Sequence, residues 1–375
     1  MSFRPSIVVT NGFSSMFTER PALDWQLYPL DHLSNYLPVW DELNRRGPAS
    51  PLLSAAFVAP AVDCFGRPGD RIAICRAGTR PVAMGILRPA GIGRWSTLQP
   101  VAVPLGLWVA ANDAGVQELL SALLSNLPGF PVMLSVTNQD CRLACRPRSE
   151  GSIDTADYMR TAAIEIGNPF ADYWETRKQH FRHDLKRRRR RLARECKEAS
   201  LQIATRPDAV RSAFEEYCDL EHRGWKGQNG SSIEQDGTAK RFYGNMLENF
   251  AKQGNARIFQ YLYNDRLVAS DLCIRDANTL VVLKIAYDET ESATSPALLM
   301  REEQVRHVAE HENIGKIEFY GPLMDWHERW ATEITQMYHI NAYRFQLIRV
   351  AHQRQTDLRN HRRAKLNANA VAAGA

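Results

Sequence analysis

Along the first half of the chain, apolar residues alternate between the spacing of a helix and that of strands. Between residues 31 and 46, Leu33, Leu37, Trp40 and Leu43 recur at helical spacing, with Pro38 as a candidate break. Short apolar runs bounded by turn residues, which are typical of strands, follow. The predicted elements are a strand at Trp25–Leu30, the helix at 31–46, strands at Arg71–Arg76, Val82–Leu87 and Thr97–Val103, a helix at Val116–Leu127, and a buried strand at Pro131–Val136.

The second half repeats this order of elements on a larger scale. Three strand-like segments are separated by Asn264-Asp265 and by Asp276–Asn278, whose residue types form hairpin turns, so they predict an antiparallel meander. The predicted elements are helices at Pro169–Glu198, at Pro207–His222 and within Ser232–Gly254, the meander strands at Ala256–Tyr263, Leu267–Ile274 and Thr279–Ala286, a helix at Ser295–His311, and strands at Lys316–Tyr320 and Tyr343–Val350.

The shared element order indicates two copies of one fold, although no sequence repeat accompanies it. A meander followed by a helix and a strand is a mixed α/β layout of the α+β kind, unlike the strict alternation of a doubly wound parallel sheet. We therefore divide the chain into a first lobe at residues 1–160, a second lobe at residues 161–352, and a basic tail at residues 353–375 that we expect to be frayed.

Composition is that of a globular protein and argues against secreted and membrane-spanning classes. Of 375 residues, 44% are hydrophobic and 24% are charged, which is enough for a core in each half. The first 20 residues lack the pattern of a secretory signal, and the longest apolar stretches are too short to span a bilayer. Seven scattered cysteines suit reduced thiols better than a disulfide framework. We expect a cytoplasmic protein with no membrane span.

Four segments of the second half follow one another in a recognisable order between residues 169 and 349. They are Tyr173-Trp174 with Arg177-Lys178, then Gly224-Trp225-Lys226-Gly227, then Lys284–Asp288 with Ser295–Leu299, and finally Phe319-Tyr320-Gly321 with Asp325 and Trp330. The arrangement resembles the CelD-like (cellulose-biosynthesis-protein) group of GNAT acetyltransferases, which is related to Fem-type transferases. The resemblance implies two tandem GNAT-fold lobes with mostly antiparallel central sheets, and transfer of an acyl group from coenzyme A to an amine.

In that family the pyrophosphate of coenzyme A lies at the start of the helix after the central strand. A helix N-terminus suits phosphate because it has free N–H groups and partial positive charge. Residues 292–299 have this context, so the resemblance assigns coenzyme A contacts to Ser292, Thr294, Ser295, Pro296, Ala297 and Leu298. The glycine-rich turn of the superfamily is absent and Ala297 stands where the family often has glycine, so an ordinary helix start is the alternative.

Acyl transfer to an amine needs a group that takes the amine proton and donors for the developing charges. The candidates are Asp271, Glu318, Tyr320 and Asp325, on or beside predicted strand ends. Each has a structural alternative. Glu318 alternates with apolar neighbours and could face solvent, Tyr320 could belong to the core, and Asp325 could cap a short helix at residues 326–330. Asp271 is harder to dismiss because strand interiors disfavour aspartate.

The loop at residues 224–232 is the candidate acceptor site, with Trp225, Lys226 and Tyr287 as its substrate-binding residues. A tryptophan in a polar loop offers an apolar face to a sugar or an acyl chain, and the neighbouring lysine could pair with a carboxylate or phosphate. The alternative is that Trp225 packs on its own lobe while the glycines end a helix.

Two further patterns are given structural interpretations. The basic run Lys186–Arg191 surrounds an apolar helical stripe that includes Phe181, Leu185 and Leu192, which favours a solvated helix face over a nucleic-acid site; a phosphate-bearing acceptor is the second option. The segment His307–His311 fits an inverted zinc-protease pattern without a third ligand, and Cys141 with Cys145 has no partner pair. We therefore expect no metal.

The leading hypothesis is an acyl-CoA-dependent N-acyltransferase that works through a ternary complex, in polysaccharide or cell-envelope biosynthesis. Its partners would be acyl-CoA and an amine acceptor of the small-molecule, sugar or amino-acid kind, with no nucleic acid. One rival is a Fem-like transferase that uses aminoacyl-tRNA. The other is a degenerate, non-catalytic GNAT protein that serves as a binding subunit, which the missing glycine-rich turn favours.

Overall fold

A computed structural model describes residues 22–356, apart from residues 168, 225–226, 228–229 and 231. We call residues 22–167 the first half and residues 169–356 the second half. The elements of the first half are β1 (Leu23–Pro29), α1 (Leu33–Arg46), α2 (Ala55–Phe65), β2 (Arg71–Ala77), β3 (Arg80–Pro89), β4 (Arg94–Thr97), β5 (Trp108–Ala110), α3 (Val116–Asn126), β6 (Met133–Asp140) and β7 (Ile153–Glu165).

The second half has a similar order with additional helices. Its elements are α4 (Phe170–Glu175), α5 (Gln179–Arg194), β8 (Ala199–Ala204), α6 (Pro207–Arg223), α7 (Gly237–Lys252), β9 (Ala256–Tyr263), β10 (Arg266–Arg275), β11 (Thr279–Tyr287), α8 (Pro296–His311), β12 (Lys316–Phe319), α9 (Asp325–Trp330) and β13 (Glu333–Tyr343). Residues 346–356 are also helical.

The strands form one continuous sheet across both halves. Its order is β1-β2-β3-β4-β6-β13-β7-β12-β11-β10-β9-β8, with β5 paired to β3. The pairs β4/β6 and β11/β12 are parallel, and the other pairs are antiparallel. The mixed α/β class with mostly antiparallel strands is therefore confirmed, while the two predicted central sheets are joined into one.

The join is a reciprocal exchange of strands. β7, the last strand of the first half, pairs with β12 of the second half, and β13 pairs with β6 of the first half. β7 and β13 also pair with each other, from Ala163 opposite Glu333 to Ile153 opposite Ala342. Residues 160 and 161, where the predicted lobes divide, both lie inside β7. Backbone hydrogen bonds thus hold the two halves together.

Helices cover both faces of the sheet. On the face that we call the common face, α1, α2, α6 and α7 share one apolar core across the two halves, in which the Phe57 and Phe242 rings meet at 5.4 Å. On the opposite face, which we call the divided face, two cores lie side by side. One lies under α3, and the other lies beneath α4, α5, α8 and α9 around Trp330.

The predicted meander in the second half is confirmed. β9, β10 and β11 pair in sequence as antiparallel neighbours. Asn264 and Asp265 both have positive φ in the β9–β10 turn, which is the backbone that a two-residue type I′ hairpin requires and that Asn and Asp tolerate well. Local turn chemistry therefore specified this part of the sheet.

Several predicted elements were wrong or missing. The helix predicted at Pro169–Glu198 is two helices, α4 and α5, with a break at residues 176–178. Arg177 lies in the break and donates to the carbonyl oxygens of Trp330 and Ala331. The last strand is β13, and residues 346–350 of the predicted strand Tyr343–Val350 are helical. Thr97–Val103 is a strand at its first residue only.

Helix α2 and strand β7 were not predicted at all. α2 is apolar on most sides, with Pro60 inside it, so it lacks the amphipathic periodicity that marks a surface helix. In β7 the residues from Asp154 to Arg160 are mostly polar. The tail predicted from Gln353 begins within the helical residues 346–356, and residues 357–375 lie outside the described part.

Candidate functional site

The parallel strands β11 and β12 separate in the middle of the second half. Their pairing runs from Thr279 opposite Lys316 to Val282 opposite Phe319. β12 ends there, whereas β11 continues to Tyr287 and remains paired only with β10 among the described strands. The sheet therefore opens on one side of β11.

A β-bulge in β11 lies at the point of separation. Cys273 of β10 pairs with Val282, and Leu272 pairs with Lys284, so Leu283 is an extra residue in β11. A bulge of this kind bends the strand and changes the direction of the side chains that follow. Leu283 packs against the common-face core, and Nζ of Lys284 lies 5.6 Å from the centroid of the Tyr243 ring on the same face.

Helix α8 starts on the divided face, one turn beyond the end of β11. Ser295, the residue before it, has left-handed backbone with φ of 52°, and no side chain caps the helix. The guanidinium group of Arg188, on α5, donates to Oγ of Ser295 at 2.6 Å and to the carbonyl oxygen of Ala293 at 3.3 Å. The start of α8 thus combines an uncapped helix N-terminus with a cation, and both favour an anion.

The loop before α8 differs from a glycine-rich phosphate cradle. The backbone N–H groups of residues 290–292, 294 and 295 donate to acceptors within the loop, so they are not available to a ligand. The loop also carries carboxylates that are already paired, since Arg266 contacts Asp288 and Glu291, and Lys197 contacts Glu291. An anion here would therefore depend on the Arg188 side chain and the first turn of α8.

Glu318 and Tyr320 lie at the separation of the strands. Glu318 pairs with Val281, and it alternates with Ile317 and Phe319 of the divided-face core, so its side chain projects toward the common face. It is buried, so the interpretation as a solvent-facing residue is wrong. Tyr320 follows β12, packs against the common-face core, and donates from its hydroxyl to Oε2 of Glu318 at 3.1 Å.

A cation from the first half completes this cluster. Nη1 of Arg142 lies 3.5 Å from Oε1 of Glu318, while Nε and Nη2 of Arg142 bond to the buried carboxylate of Asp140. Burial raises the pKa of the Glu318 carboxyl, and Arg142 only partly opposes that effect. Burial and the nearby Glu318 raise the pKa of Tyr320 well above its usual value. Both groups therefore hold their protons more strongly than they would in water.

Asp271 lies in β10 on the divided face, fully enclosed. Its Oδ2 accepts from Nη2 of Arg301 at 2.6 Å and from Nε2 of Gln304 at 3.2 Å, both on α8. Arg301 in turn lies over the Phe319 ring, 5.0 Å from its centroid. Burial raises the pKa of the Asp271 carboxyl, and Arg301 opposes the rise. This geometry favours a structural ion pair under the site, and a catalytic role for Asp271 stays a hypothesis.

The remaining predicted residues are dispersed. Asp325 is exposed and is the first residue of α9, whose N-cap position belongs to Met324, so the interpretation of Asp325 as the cap is wrong. Tyr287 is exposed at the end of β11. Trp225 and Lys226 lie outside the described residues. Gly224 marks where their loop leaves α6, and the position of a β-carbon there would lie 3.7 Å from Oε1 of Glu289.

The described end of that loop encloses a buried carboxylate. Glu221, near the end of α6, accepts from the hydroxyl of Tyr217 at 3.1 Å and from the backbone N–H of Ile233 at 2.8 Å. The ring nitrogen Nδ1 of His222 lies 3.2 Å from Oγ of Ser232. Contacts on both sides of residues 224–231 therefore attach this loop to α6, close to the end of β11.

The first half contains its own cleft at the corresponding place in the fold, between β5 and the end of β6. The cavity measures about 400 Å³, and its walls include the buried apolar side chains of Leu105, Trp108 and Ile340. Asp140 and Arg142 also contribute to its lining. The ion pair that contacts Glu318 thus lies between this cavity and the separation of β11 and β12.

The basic run on α5 is largely ion-paired. Arg187 and Arg188 contact Asp184, Arg189 contacts Glu302, and Arg191 contacts Glu195. The predicted apolar stripe is confirmed at Phe181, Leu185 and Leu192, which are buried, whereas Cys196, also predicted to belong to it, is exposed beyond the end of α5. Within residues 22–356 as described, no group of three or more His, Cys, Asp or Glu side chains is placed to hold a metal ion. In the same part of the chain, no helix is both long enough and apolar enough to cross a bilayer.

Residues 179–328 match the family model described as Acetyltransferase (GNAT) domain. The match begins at the first residue of α5 and ends within α9, so it contains the separated strands and the start of α8. This part of the chain is therefore similar to a GNAT domain. No curated protein matches the chain in sequence.

Solved structures resemble the chain over most of its length. A crystal structure of FemX covers 83% of this chain and 97% of its own, at a TM-score of 0.56 and 10% identity. The structure of L-PGS from Bacillus licheniformis gives 0.49 at 10% identity, over 82% of this chain and 91% of its own. A tandem GNAT protein from the clavulanic acid biosynthesis pathway gives 0.44 at 11% identity, over 85% and 98%. The similarity to FemX shows that the two proteins share a fold over both halves of this chain.

Sequence reasoning did not find the charged residues that the fold brings to the site. Arg188 was hidden in a basic run that suggested a solvated face, although it contacts Ser295. Arg142 lies between Cys141 and Cys145, which the sequence analysis considered only as possible metal ligands. It contacts Glu318 from the other half of the chain. Neither contact leaves a signal in local spacing, because each joins residues more than 100 positions apart.

Proposed function

We propose that the protein is an N-acyltransferase that moves an acyl group from an acyl-CoA thioester to an amine by direct attack. A neutral amine nitrogen forms a bond to the thioester carbonyl carbon, the carbon–sulfur bond breaks, and the amine loses one proton while the thiolate gains one. The chemistry that coenzyme A supplies is the activated thioester, and the protein supplies positioning and proton handling.

One observation carries the proposal: β11 and β12 separate beside the uncapped start of α8, inside the region that matches a GNAT domain. The separation would give a passage from the divided face, where α8 and Arg188 would attract an anion, to the common face, where Glu318 and Tyr320 lie. A donor held on one face could thus meet an acceptor held on the other.

Glu318 and Tyr320 are the residues that we assign to proton handling. A carboxyl whose pKa is raised toward neutral is the better partner for a proton from an amine. The hydroxyl of Tyr320, 3.1 Å from Glu318, is an O–H donor at the same point. Arg142 positions Glu318 from the first half and counters its charge when it is ionised.

The residues at the start of α8 fit a phosphate group through the helix N-terminus and Arg188. The backbone N–H of Ala297 and the Arg188 side chain would hold the pyrophosphate. The N–H groups of Ser295 and Leu298 already donate to the carbonyl oxygens of Glu291 and Ser295, so these two predicted contacts would need a change in the loop. The acidic side chains of the loop are consistent with this assignment because Arg266 and Lys197 neutralise Asp288 and Glu291.

Calorimetric titration with coenzyme A and acetyl-CoA tests the donor assignment in Ala297→Glu. A carboxylate close to a phosphate costs about 1–4 kcal/mol at 4 Å, so affinity should fall on the order of tenfold or more. Ala209→Glu is the matched control, since α6 also begins with proline and Ala209 is likewise half-buried in its first turn. The control variant should bind coenzyme A like the parent. Equal affinity in both variants, or no binding by the parent, would contradict the assignment.

A second function has one observation in its favour. The loop before α8 uses its own N–H groups and contains three acidic residues, Asp288, Glu289 and Glu291, which suits a phosphate cradle poorly. A Fem-like enzyme with an aminoacyl-tRNA donor, or a non-catalytic binding subunit, would not need such a cradle. Absence of coenzyme A binding with retained transfer from aminoacyl-tRNA would establish the first of these. Absence of both activities would favour the second.

The setting and the acceptor belong to the same proposal. The narrower resemblance to CelD-like enzymes supports a cytoplasmic role in polysaccharide or cell-envelope biosynthesis, with an amino sugar or an amino acid as the acceptor. The loop at 224–232, attached beside the end of β11, would hold that acceptor through Trp225 and Lys226, with Tyr287 near it. Screening amino sugars and amino acids for release of free thiol from acetyl-CoA would identify the class.

A further inference from the structure

A cluster of exposed apolar side chains lies where residues 344–350 pack beside the β4 and β6 end of the first half. It consists of Ile92, Phe130, Phe345, Leu347 and Val350, whose exposures run from 44% to 101%. Isolated surface apolar residues are ordinary, but a contiguous group of large ones marks an interaction site. We call this cluster the apolar tip.

Backbone hydrogen bonds and ring contacts show that the members of the apolar tip are neighbours. The carbonyl oxygen of Gly93, next to Ile92, accepts from the N–H of Val132, and the carbonyl oxygen of Val132 accepts from the N–H of Arg344. The Phe130 and Phe345 rings lie 6.3 Å apart. Three chain segments, 91–93, 130–132 and 344–350, therefore present their apolar side chains at the same end of the sheet.

The last of these segments continues as an amphipathic helix with its apolar side outward. Within the helical residues 346–356, Leu347, Val350 and Ala351 recur at i, i+3 and i+4 and are all exposed. An apolar stripe on a helix normally packs on a core. Here the stripe is exposed, and the described part of the chain does not pack on it.

Positive charge surrounds the apolar tip. Arg94 lies two residues after Ile92, and the guanidinium of Arg344 lies 4.7 Å from the centroid of the Phe130 ring. Arg349 and Arg354 lie on the helix. Arg344 and Arg349 bond to carbonyl oxygens, and none of the four has a carboxylate within salt-bridge distance among the described residues. From Arg344 to Ala375 the sequence has seven Arg or Lys residues and one acidic residue, Asp357.

We propose that the apolar tip binds the surface of an anionic membrane. Exposed Phe, Leu and Ile side chains flanked by arginine are the composition that inserts at the headgroup boundary while the cations contact acidic lipids. A second copy of this chain is a less suitable occupant, because the two clusters of uncompensated arginine would repel each other. The apolar tip would hold the protein at a lipid surface independently of the donor and acceptor assignments.

Co-sedimentation of the full chain with vesicles tests this surface. We expect binding to vesicles of phosphatidylcholine and phosphatidylglycerol in equal parts, little binding to phosphatidylcholine alone, and release in high salt, because anionic attraction is screened. Leu347→Ser combined with Phe130→Ser should weaken binding by on the order of tenfold. Each of Arg94→Gln and Arg354→Gln should weaken it by about fivefold.

Val101→Ser is the matched control, since Val101 is as exposed as Ile92 but lies outside the apolar tip. This variant should bind vesicles like the parent, and all variants should keep the parent's acyl-transfer activity in the absence of lipid. Equal vesicle binding by the control and the Leu347/Phe130 variant would overturn the proposal. So would a lipid-independent dimer of the parent that becomes monomeric in the Leu347/Phe130 variant, as measured by light scattering.

Discussion

Asp271 is the most deeply buried candidate of the site, and variants of its ion pair with Arg301 can distinguish a structural role from a catalytic one. Their side chains are 0% and 2% exposed, and their N–O distance is 2.6 Å. Removal of one partner leaves the other as an uncompensated charge in the core, which typically costs about 3–5 kcal/mol. We therefore expect Asp271→Ala and Arg301→Met each to lower the free energy of unfolding by about that amount.

The double variant Asp271→Leu/Arg301→Met distinguishes the structural role from the catalytic one. Replacing both members of a buried pair with apolar side chains is often neutral or stabilising by about 1–4 kcal/mol, because two desolvated charges disappear together. The Phe319 ring, over which Arg301 lies, would then face a methionine. We expect the double variant to recover most of the parent's stability and to retain acyl-transfer activity.

Urea titration gives the free energies of unfolding, and thiol release from acetyl-CoA gives the activity of each folded variant. Asp113→Ala is the control, since the ion pair of Asp113 with Arg80 is exposed on both sides and its loss should change stability little. A double variant that is as stable as the parent but has lost transfer more than about a hundredfold would refute the structural interpretation and make Asp271 a catalytic residue.

Three further predictions concern other charged or aromatic groups. Burial would raise the pKa of Glu312, but hydrogen bonds from His307, Arg257 and Arg275 outweigh it and lower the pKa from its usual 4.5 to about 2. The ionised carboxylate therefore stabilises the fold by about 3 kcal/mol above pH 4.5. This contribution is lost as the pH falls toward 2. Glu312→Gln should therefore be less stable than the parent at pH 7 and equal to it near pH 2 in urea titrations. Replacing Arg187–Arg190 with glutamine should not alter nucleic-acid retention, since Arg187 and Arg188 already contact Asp184 and Arg189 contacts Glu302. A tight complex whose log K falls by roughly 0.9 per phosphate contact for each tenfold rise in salt, and which the replacement abolishes, would contradict this. Trp225→Ala should raise KM for the acceptor while coenzyme A affinity stays unchanged, whereas a loss of roughly 3–5 kcal/mol of stability with normal acceptor kinetics would show that Trp225 belongs to a core.

Local patterns predicted the part of the fold in which neighbours in sequence pair with each other. The β9–β10–β11 meander was predictable because Asn264 and Asp265 specify a tight hairpin and the strands follow at once. Helix α8 was predictable from its proline at the first turn and its regular spacing. The start of α8 and the end of the strand before it, which form the candidate donor site, were thus predicted from the sequence.

The exchanged strands could not be predicted in the same way. β7 carries polar residues at positions such as Asp157 and Arg160, and it pairs with β12 and β13, more than 150 residues away along the chain. Its polar positions do not mark it as a central strand by composition. The contact from Arg142 to Glu318 follows from this pairing, so no pattern around either residue reveals it.

The exchange has a direct consequence for the chemistry of the site. Glu318 lies in β12, which pairs with β7 of the first half, and the strands β13 and β7 lie between β12 and β6. Asp140 ends β6, and the turn after it brings Arg142 across those two strands to Glu318. The protonation of Glu318 therefore depends on a residue that the GNAT-domain match at residues 179–328 does not include. A second half separated from the first would lose both the neighbouring strand β7 and the cation that counters the Glu318 charge, so the first half is a working part of the proposed site.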